Sequence, residues 1–375
     1  MATLNMDMTS NNQQSGILPT QGLRQMIEAG HILSMAEIGE DLIQPASLDL
    51  RLGEVAWRVQ ASFLPGGGAT VKDKVKELGM HRIDLTDGAV LEKGCVYIVP
   101  LLESLSLPAH IAAFANPKSS TGRLDVFTRI ISDRGERFDL IRSGYKGPLY
   151  AEVSPKTFSI AVRTSSRLSQ LRLRYGRSAV KTDELIQLQN DFHLIDGHMD
   201  ISEFEEHESI SLRLDLSERD LVGWRARQHT GVINIERTNY YEPEDFWEPV
   251  AARNGSVILN PDDFYILATK EAVTVPPNLA AEMVAYDTLV GEFRVHYAGF
   301  FDPGFGWDPD NPKTGSRGVL EVRSHDVPFL LEHEQVVGRL RYEKLLATPE
   351  KLYGSQIGSN YQGQRLKLSK QFKVP

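Results

Sequence analysis

Two stretches of this chain repeat one another at a single spacing, and that duplication limits the available folds more than any other feature of the sequence. Val96-Tyr97-Ile98 recurs as Phe264-Tyr265-Ile266, and Leu107-Pro108-Ala109-His110-Ile111-Ala112-Ala113 recurs as Val275-Pro276-Pro277-Asn278-Leu279-Ala280-Ala281, both at an offset of 168 residues. Two anchors at one offset indicate two copies of one folding unit, each burying its own core. A length of 375 residues, 41% of them hydrophobic, supplies apolar material for two such cores. The boundary is expected near residue 200, within the polar stretch Thr182 to Glu208, where Thr182 is placed to cap a short helix. The division is then a disordered leader over 1–16, a first domain over 17–200 and a second over 201–375.

Within the first copy, Thr20 is positioned to cap a helix whose stripe is Leu23, Met26 and Ile27, with Gly30 at its stop. From Ala46 to Val59 the chain alternates, Leu48, Leu50 and Leu52 against Asp49 and Arg51, the period of a half-buried strand. Further short strands are predicted at Cys95 to Val99, Ile111 to Ala115, Leu149 to Val153, Phe158 to Val162 and Leu168 to Leu173, separated by Pro and Gly. The fold class is mainly β with a few short helices. Arg172, Arg174 and Arg177 read as a basic stripe on an exposed sheet face. Asp191, His193, Asp196, His198, Asp200 and His207 are spaced too irregularly for a metal site and read as a solvated linker.

Charge and cysteine content narrow the function. The balance of 41 Lys plus Arg against 50 Asp plus Glu gives a net charge of −9, which disfavours nucleic-acid binding but leaves small anions to local basic clusters. A single cysteine, Cys95, read as a small core residue, fits a reducing cytoplasm and leaves no internal disulfide. No apolar run reaches membrane-spanning length, and Met1 to Gly16 is polar, without the apolar centre of a secretory signal.

The chemistry concentrates in a few motifs. Lys118-Ser119-Ser120-Thr121-Gly122-Arg123 brings hydroxyls, backbone N–H groups and two cations together, a set suited to phosphate oxygens. On its own it also fits a polar surface turn. Upstream stands Gln44-Pro45-Ala46-Ser47-Leu48-Asp49-Leu50-Arg51-Leu52-Gly53. Downstream stand Ala298-Gly299-Phe300-Phe301-Asp302-Pro303-Gly304-Phe305-Gly306-Trp307, then Gly318-Val319-Leu320-Glu321-Val322, then Tyr353-Gly354-Ser355 and Gly358-Ser359-Asn360-Tyr361-Gln362-Gly363-Gln364.

Together these segments resemble the dCTP deaminase branch of the trimeric dUTPase-like superfamily, in a long, tandem-duplicated form covering about Ile17 to Lys370. The resemblance implies two distorted β-barrel or jelly-roll-like domains. It implies a phosphate motif of Lys118, Ser119, Ser120, Thr121, Gly122 and Arg123, and a base-recognition hairpin in which Ala298 and Asp302 stand near base and deoxyribose. It implies a strand on which Val319 and Leu320 flank the catalytic Glu321, with Glu152 as its counterpart in the first copy, and a C-terminal lid contacting the nucleotide through Tyr353, Asn360 and Gln364. Lys118 and Asn360 stand where the family usually has arginine and lysine, and Phe300 where the hairpin usually has arginine. The first copy keeps the Ser-Ser motif, replaced in the second by Tyr286-Asp287-Thr288-Leu289, whereas the second keeps hairpin and tail. The working site is therefore expected where repeat two meets a repeat-one domain.

The family's reaction is hydrolytic deamination of dCTP to dUTP and ammonia, a step toward dUMP and dTTP. One cysteine excludes the Pro-Cys-x-x-Cys pattern of zinc nucleobase deaminases, so water activation falls to Glu321, with Ser119 and Arg123 orienting the water. Mg²⁺ is expected through the triphosphate, without zinc. The expected partners are dCTP, dTTP as a feedback inhibitor, and further copies of the chain in a trimer of two-domain subunits. Two alternatives stay open: a dUTP diphosphatase or bifunctional deaminase–diphosphatase on the same scaffold, and a nucleotide-binding regulatory protein with decayed sites.

Overall fold

The computed structural model describes residues 15–197, 199, 204, 206–217, 220–284, 299–311, 315–324, 326–354 and 366–374, together with the backbone of 293–295. The first described strand is Gly16–Ile17, paired with Tyr175 and Arg174, so Gly16 belongs to a sheet. Helix Thr20–Glu28 buries Leu23 and Met26. It ends where Gly30 takes a φ of 71°, with Gly30 N–H donating to Ile27 O at 3.0 Å and His31 N–H to Met26 O at 2.9 Å, the paired bonds of a Schellman stop. Thr20 does not cap this helix: Pro19 holds the cap position, and the Thr20 hydroxyl donates to the Gln44 and Pro45 carbonyls.

Each copy builds two main sheets of the same order. In the first, strands run 79–84, 55–59, 96–106, 146–155 and 126–132 in one sheet, and 16–17, 167–175, 111–117 and 140–141 in the other, with 48–51 also on 167–175. In the second the orders are 247–250, 223–226, 264–273, 316–324, 293–295 and 210–213, 336–344, 279–284, 300–301. The repeat anchors do the same work in both. Tyr97 accepts a bond from Glu92 N–H at 2.9 Å, and Tyr265 one from Asn260 N–H at 3.1 Å. Arg51 pairs with Glu103 at 2.8 Å, and Arg213 with Glu271 at 3.5 Å.

The second core begins at Val180, ahead of the division expected near residue 200. Helix Thr182–Phe192 buries Leu185 and Leu188 in that core, so much of the segment read as a solvated linker is structural. Asp196 accepts a bond from Ala272 N–H at 2.7 Å, while His198 and Asp200 lie outside the described residues. Thr182 is the first helical residue; Lys181 is the cap and no side chain closes it. Cys95 lies just ahead of strand Val96–Ser106 and is half-buried against the first core, at its edge and not within it.

The first core draws on both copies. Trp224, Phe246, Trp247, Phe264, Ile266 and Val319 of the second copy pack into the same cluster as the first core. Strand Ile233–Asn234 pairs in parallel with Ile160–Val162. Because side chains alternate along a strand, Ser316–Ser324 divides its residues: Leu320 and Val322 enter the second core, and Val319 the first. Glu321 is thereby turned toward the first copy. Polar faces that the sequence assigns to solvent are buried here, Asp49 and Arg51 among them. Arg172 is 1% exposed, against the expected open sheet face, because the second copy covers its strand. No helix among the described residues is long and apolar enough to cross a membrane.

Candidate active site between the two repeats

The motif Lys118 to Arg123 follows strand Ile111–Pro117 and forms one short helical turn, Ser119–Gly122, with Lys118 before it and Arg123 after it. Ser120, Thr121, Gly122 and Arg123 are buried and Ser119 is partly accessible. Lys118 makes an ion pair with Asp49, which Arg167 also approaches at 3.8 Å. Segment 366–374 returns over this turn: the Ser369 hydroxyl donates to Ser120 O at 2.7 Å, and an Arg123 Nη donates to Lys367 O at 2.8 Å. Lys370 is held below the usual lysine range, first by burial and then by the neighbouring Lys118 ammonium. Beside the turn lies a cavity of about 520 Å³ whose lining includes Ser120, Thr121, Arg163, Arg167 and Lys370.

Glu321 stands across from this turn, 5% exposed, with its Oε1 at 4.0 Å from Arg123 Nε. Burial pushes its carboxyl up to about 8; Arg123 opposes the shift and Asp125 adds to it. Asp125 is itself paired with Arg323, two residues beyond Glu321, and Arg323 also donates to the Thr157 hydroxyl at 2.8 Å. Glu152, in the first copy, is equally buried but holds a different partner: Arg129 donates to its Oε1 at 2.5 and 3.1 Å. That guanidinium is further fixed over the Phe138 ring at 3.5 Å. Both Arg129 bonds reach a single oxygen of Glu152, whereas Glu321 stands 4.0 Å from Arg123 Nε.

The hairpin reaches the same place. Asp302 Oδ1 accepts a bond from Arg172 at 3.1 Å. Burial raises its carboxyl above the usual range against the pull of Arg172, with Asp49 raising it further and Lys118 lowering it. Gly304 has a φ of 96°, and a Cβ there would stand 2.8 Å from Tyr353 O, so the turn requires glycine. Tyr353 N–H donates to Pro303 O at 2.8 Å, and its ring lies 5.7 Å from Phe305, which fastens the start of the tail to the hairpin. Val319 faces the first copy beside Glu321, whereas the Leu320 side chain lies in the second core. Ala298, Asn360, Tyr361 and Gln364, and the Tyr286 to Leu289 segment, lie outside the described residues. Among the described residues no three His, Cys, Asp or Glu side chains gather as a metal-binding group.

Within one chain Arg123 thus meets Glu321, Asp302 lies within the electrostatic reach of Lys118, and Tyr353 is fastened to the hairpin that carries Asp302. Sequence reasoning gave no role to Asp49 or Arg167, placed Lys370 only in the tail motif Ser369-Lys370, and read Arg172 as part of an exposed face with phosphate contact second. Asp49 carried a signal, since it lies inside the Pro-Ala-Ser-Leu-Asp-Leu-Arg strand and faces away from its leucines.

Comparison with known proteins yields two family models that tile the chain. One is described as the 2'-deoxycytidine 5'-triphosphate deaminase N-terminal domain, over residues 14–177, and the other as the C-terminal domain of the same enzyme, over residues 181–372. A protein of Corynebacterium kroppenstedtii named "dCTP deaminase, dUMP-forming" is 30% identical over 181 residues, 45% of this chain and 86% of that protein. A Halorubrum lacusprofundi protein named "dCTP deaminase" is 25% identical over 201 residues, 50% of this chain and 96% of that protein. The crystal structure of 2'-deoxycytidine 5'-triphosphate deaminase from Agrobacterium tumefaciens matches with a TM-score of 0.84 at 52% identity, covering 89% of this chain and all of that one.

Proposed function

The chain belongs to the dCTP deaminase family, and from that premise we propose that it hydrolyses dCTP to dUTP and ammonia at the junction of its two repeats. The observation that carries the reading is the buried Glu321, pushed up to about 8 and 4.0 Å from Arg123 of the other repeat. A carboxyl that titrates near neutrality both takes and returns a proton efficiently. In the proposed reaction Glu321 accepts the proton of a water as its oxygen bonds to cytosine C4. Attack pushes the C4=N3 electron pair onto N3, which takes that proton from Glu321; Glu321 then removes the remaining hydroxyl proton and passes it to the amine as C4=O forms and the C4–N bond breaks, leaving uracil and ammonia. Arg123 and Ser119 orient the water and offset the charge developing at the tetrahedral centre. Lys118, Ser120 and Thr121 grip the phosphates, and Asp302 holds the sugar. The substrate enters as its Mg²⁺ complex, with phosphate oxygens and water as ligands.

A second reading is favoured by the names of several relatives, "dUMP-forming": the same pocket also hydrolyses the product to dUMP. Incubation with dCTP and Mg²⁺, followed by ammonia assay and separation of nucleotides, distinguishes them. Ammonia with dUTP supports deamination alone, and ammonia with dUMP and pyrophosphate supports the second reading. Nucleotide binding without ammonia release would refute both.

A further inference from the structure

The hairpin of the second repeat is held by a side chain of the first. Arg172 lies mid-strand in Arg167–Tyr175, 1% exposed, and reaches across the junction. One Nη donates to Ala281 O at 3.2 Å, and the other to Phe301 O at 3.4 Å and to Asp302 Oδ1 at 3.1 Å. Its guanidinium lies over the Phe300 ring, 4.0 Å from the centroid, and approaches Glu343 at 3.5 Å. Its Nε finds no acceptor among the described residues. Phe300, at the hairpin position where the resemblance implies arginine, instead packs its ring under the guanidinium that the first repeat contributes. A planar fork fixes a carboxylate in direction as well as in charge, which an ammonium does not.

We propose that Arg172 is a positioning residue for sugar recognition, orienting the Asp302 carboxylate to accept a hydrogen bond from the 3'-hydroxyl of a deoxynucleotide. The sugar of a 2'-deoxynucleoside 5'-triphosphate offers no other hydroxyl donor. This rests on the reading above, in which Asp302 meets the deoxyribose.

The test compares kcat/KM for dCTP and for 2',3'-dideoxycytidine triphosphate in the full-length chain and in Arg172→Met, Arg172→Lys, Asp302→Asn and the Arg172→Met/Asp302→Asn double variant. The wild type should prefer dCTP by roughly 10- to 100-fold, the range for a hydrogen bond to a charged group. Arg172→Met and Asp302→Asn should each erase most of that preference, mainly through KM for dCTP, and the double variant should erase no more. Arg172→Lys should restore part of it. A purely structural Arg172 would lower turnover of both nucleotides alike, leave the preference intact and add its penalty to that of Asp302→Asn; that result overturns the proposal. If Arg172→Met does not fold, Arg172→Lys and Asp302→Asn decide it by the same ratio. A wild-type chain with no dCTP turnover would sink the functional reading and this proposal with it. Turnover with an unchanged ratio would sink the proposal alone.

Discussion

A buried carboxyl next to a guanidinium gives the residue-scale chemistry a pH signature. In the proposed reaction Glu321 is ionised before it accepts a proton, and burial lifts its carboxyl to about 8, so on that reading kcat/KM should rise with pH through that region. Glu321→Gln should lower turnover by roughly 10²- to 10⁴-fold and abolish the limb, while nucleotide binding persists. Arg123 pulls the same carboxyl down, so Arg123→Gln should move the limb to higher pH; an unmoved limb would assign the titration to another group. Stability follows the opposite course. Because the folded-state value is raised, the contribution of protonated Glu321 is complete below the unfolded value near 4.5 and is lost as pH rises through about 8. Thermal melts across this range should therefore show Glu321→Gln gaining on the wild type as pH rises, by on the order of a few kcal/mol at the alkaline plateau. Parallel melting curves would contradict that linkage.

At the scale of elements, the hairpin and the tail form one unit. Gly304 has left-handed backbone and lies against the Tyr353 carbonyl, so Gly304→Ala adds backbone strain to a clash and should cost about 1–3 kcal/mol in urea unfolding, with a raised KM. Gly66 supplies the control, since its φ of 71° has the same sign but nothing lies within 4 Å of a Cβ there. Gly66→Ala should cost about 1–2 kcal/mol and leave KM unchanged. Equal effects of the two substitutions on KM would separate the hairpin turn from the nucleotide site. The strand carrying Glu321 shows why alternation alone was insufficient. A period of two establishes that Glu321 opposes Leu320 and Val322, but the face it occupies meets water or protein according to what packs there.

For the molecule as a whole, the two repeats have diverged in complementary ways. The first keeps the Ser-Ser turn, and its own glutamate, Glu152, is ion-paired with Arg129. The second keeps the hairpin and the glutamate with the raised value. Arg123 and Glu321 meet within one chain, so mixing Arg123→Gln chains with Glu321→Gln chains, refolded or co-expressed together, should restore no turnover. Recovered activity would mean that the functional pocket forms between chains.

Periodicity, the single offset and the Pro-Gly turns were enough to read two β-rich units, because repeats are written in contiguous residues; Lys118 to Arg123, Asp302 and Glu321 were singled out by the resemblance of their motifs to the dCTP deaminase family. The sequence also contained Arg172, Asp49 and the Val180 boundary, but their roles depend on which surfaces meet. Arg172 reads as an exposed cation until a second sheet covers it, and helix Thr182–Phe192 reads as linker until Leu185 and Leu188 find a core. Burial, and with it the lifted carboxyl of Glu321, is a property of packing between segments some 200 residues apart. Only the assembled chain, with one repeat closing over the other, sets it.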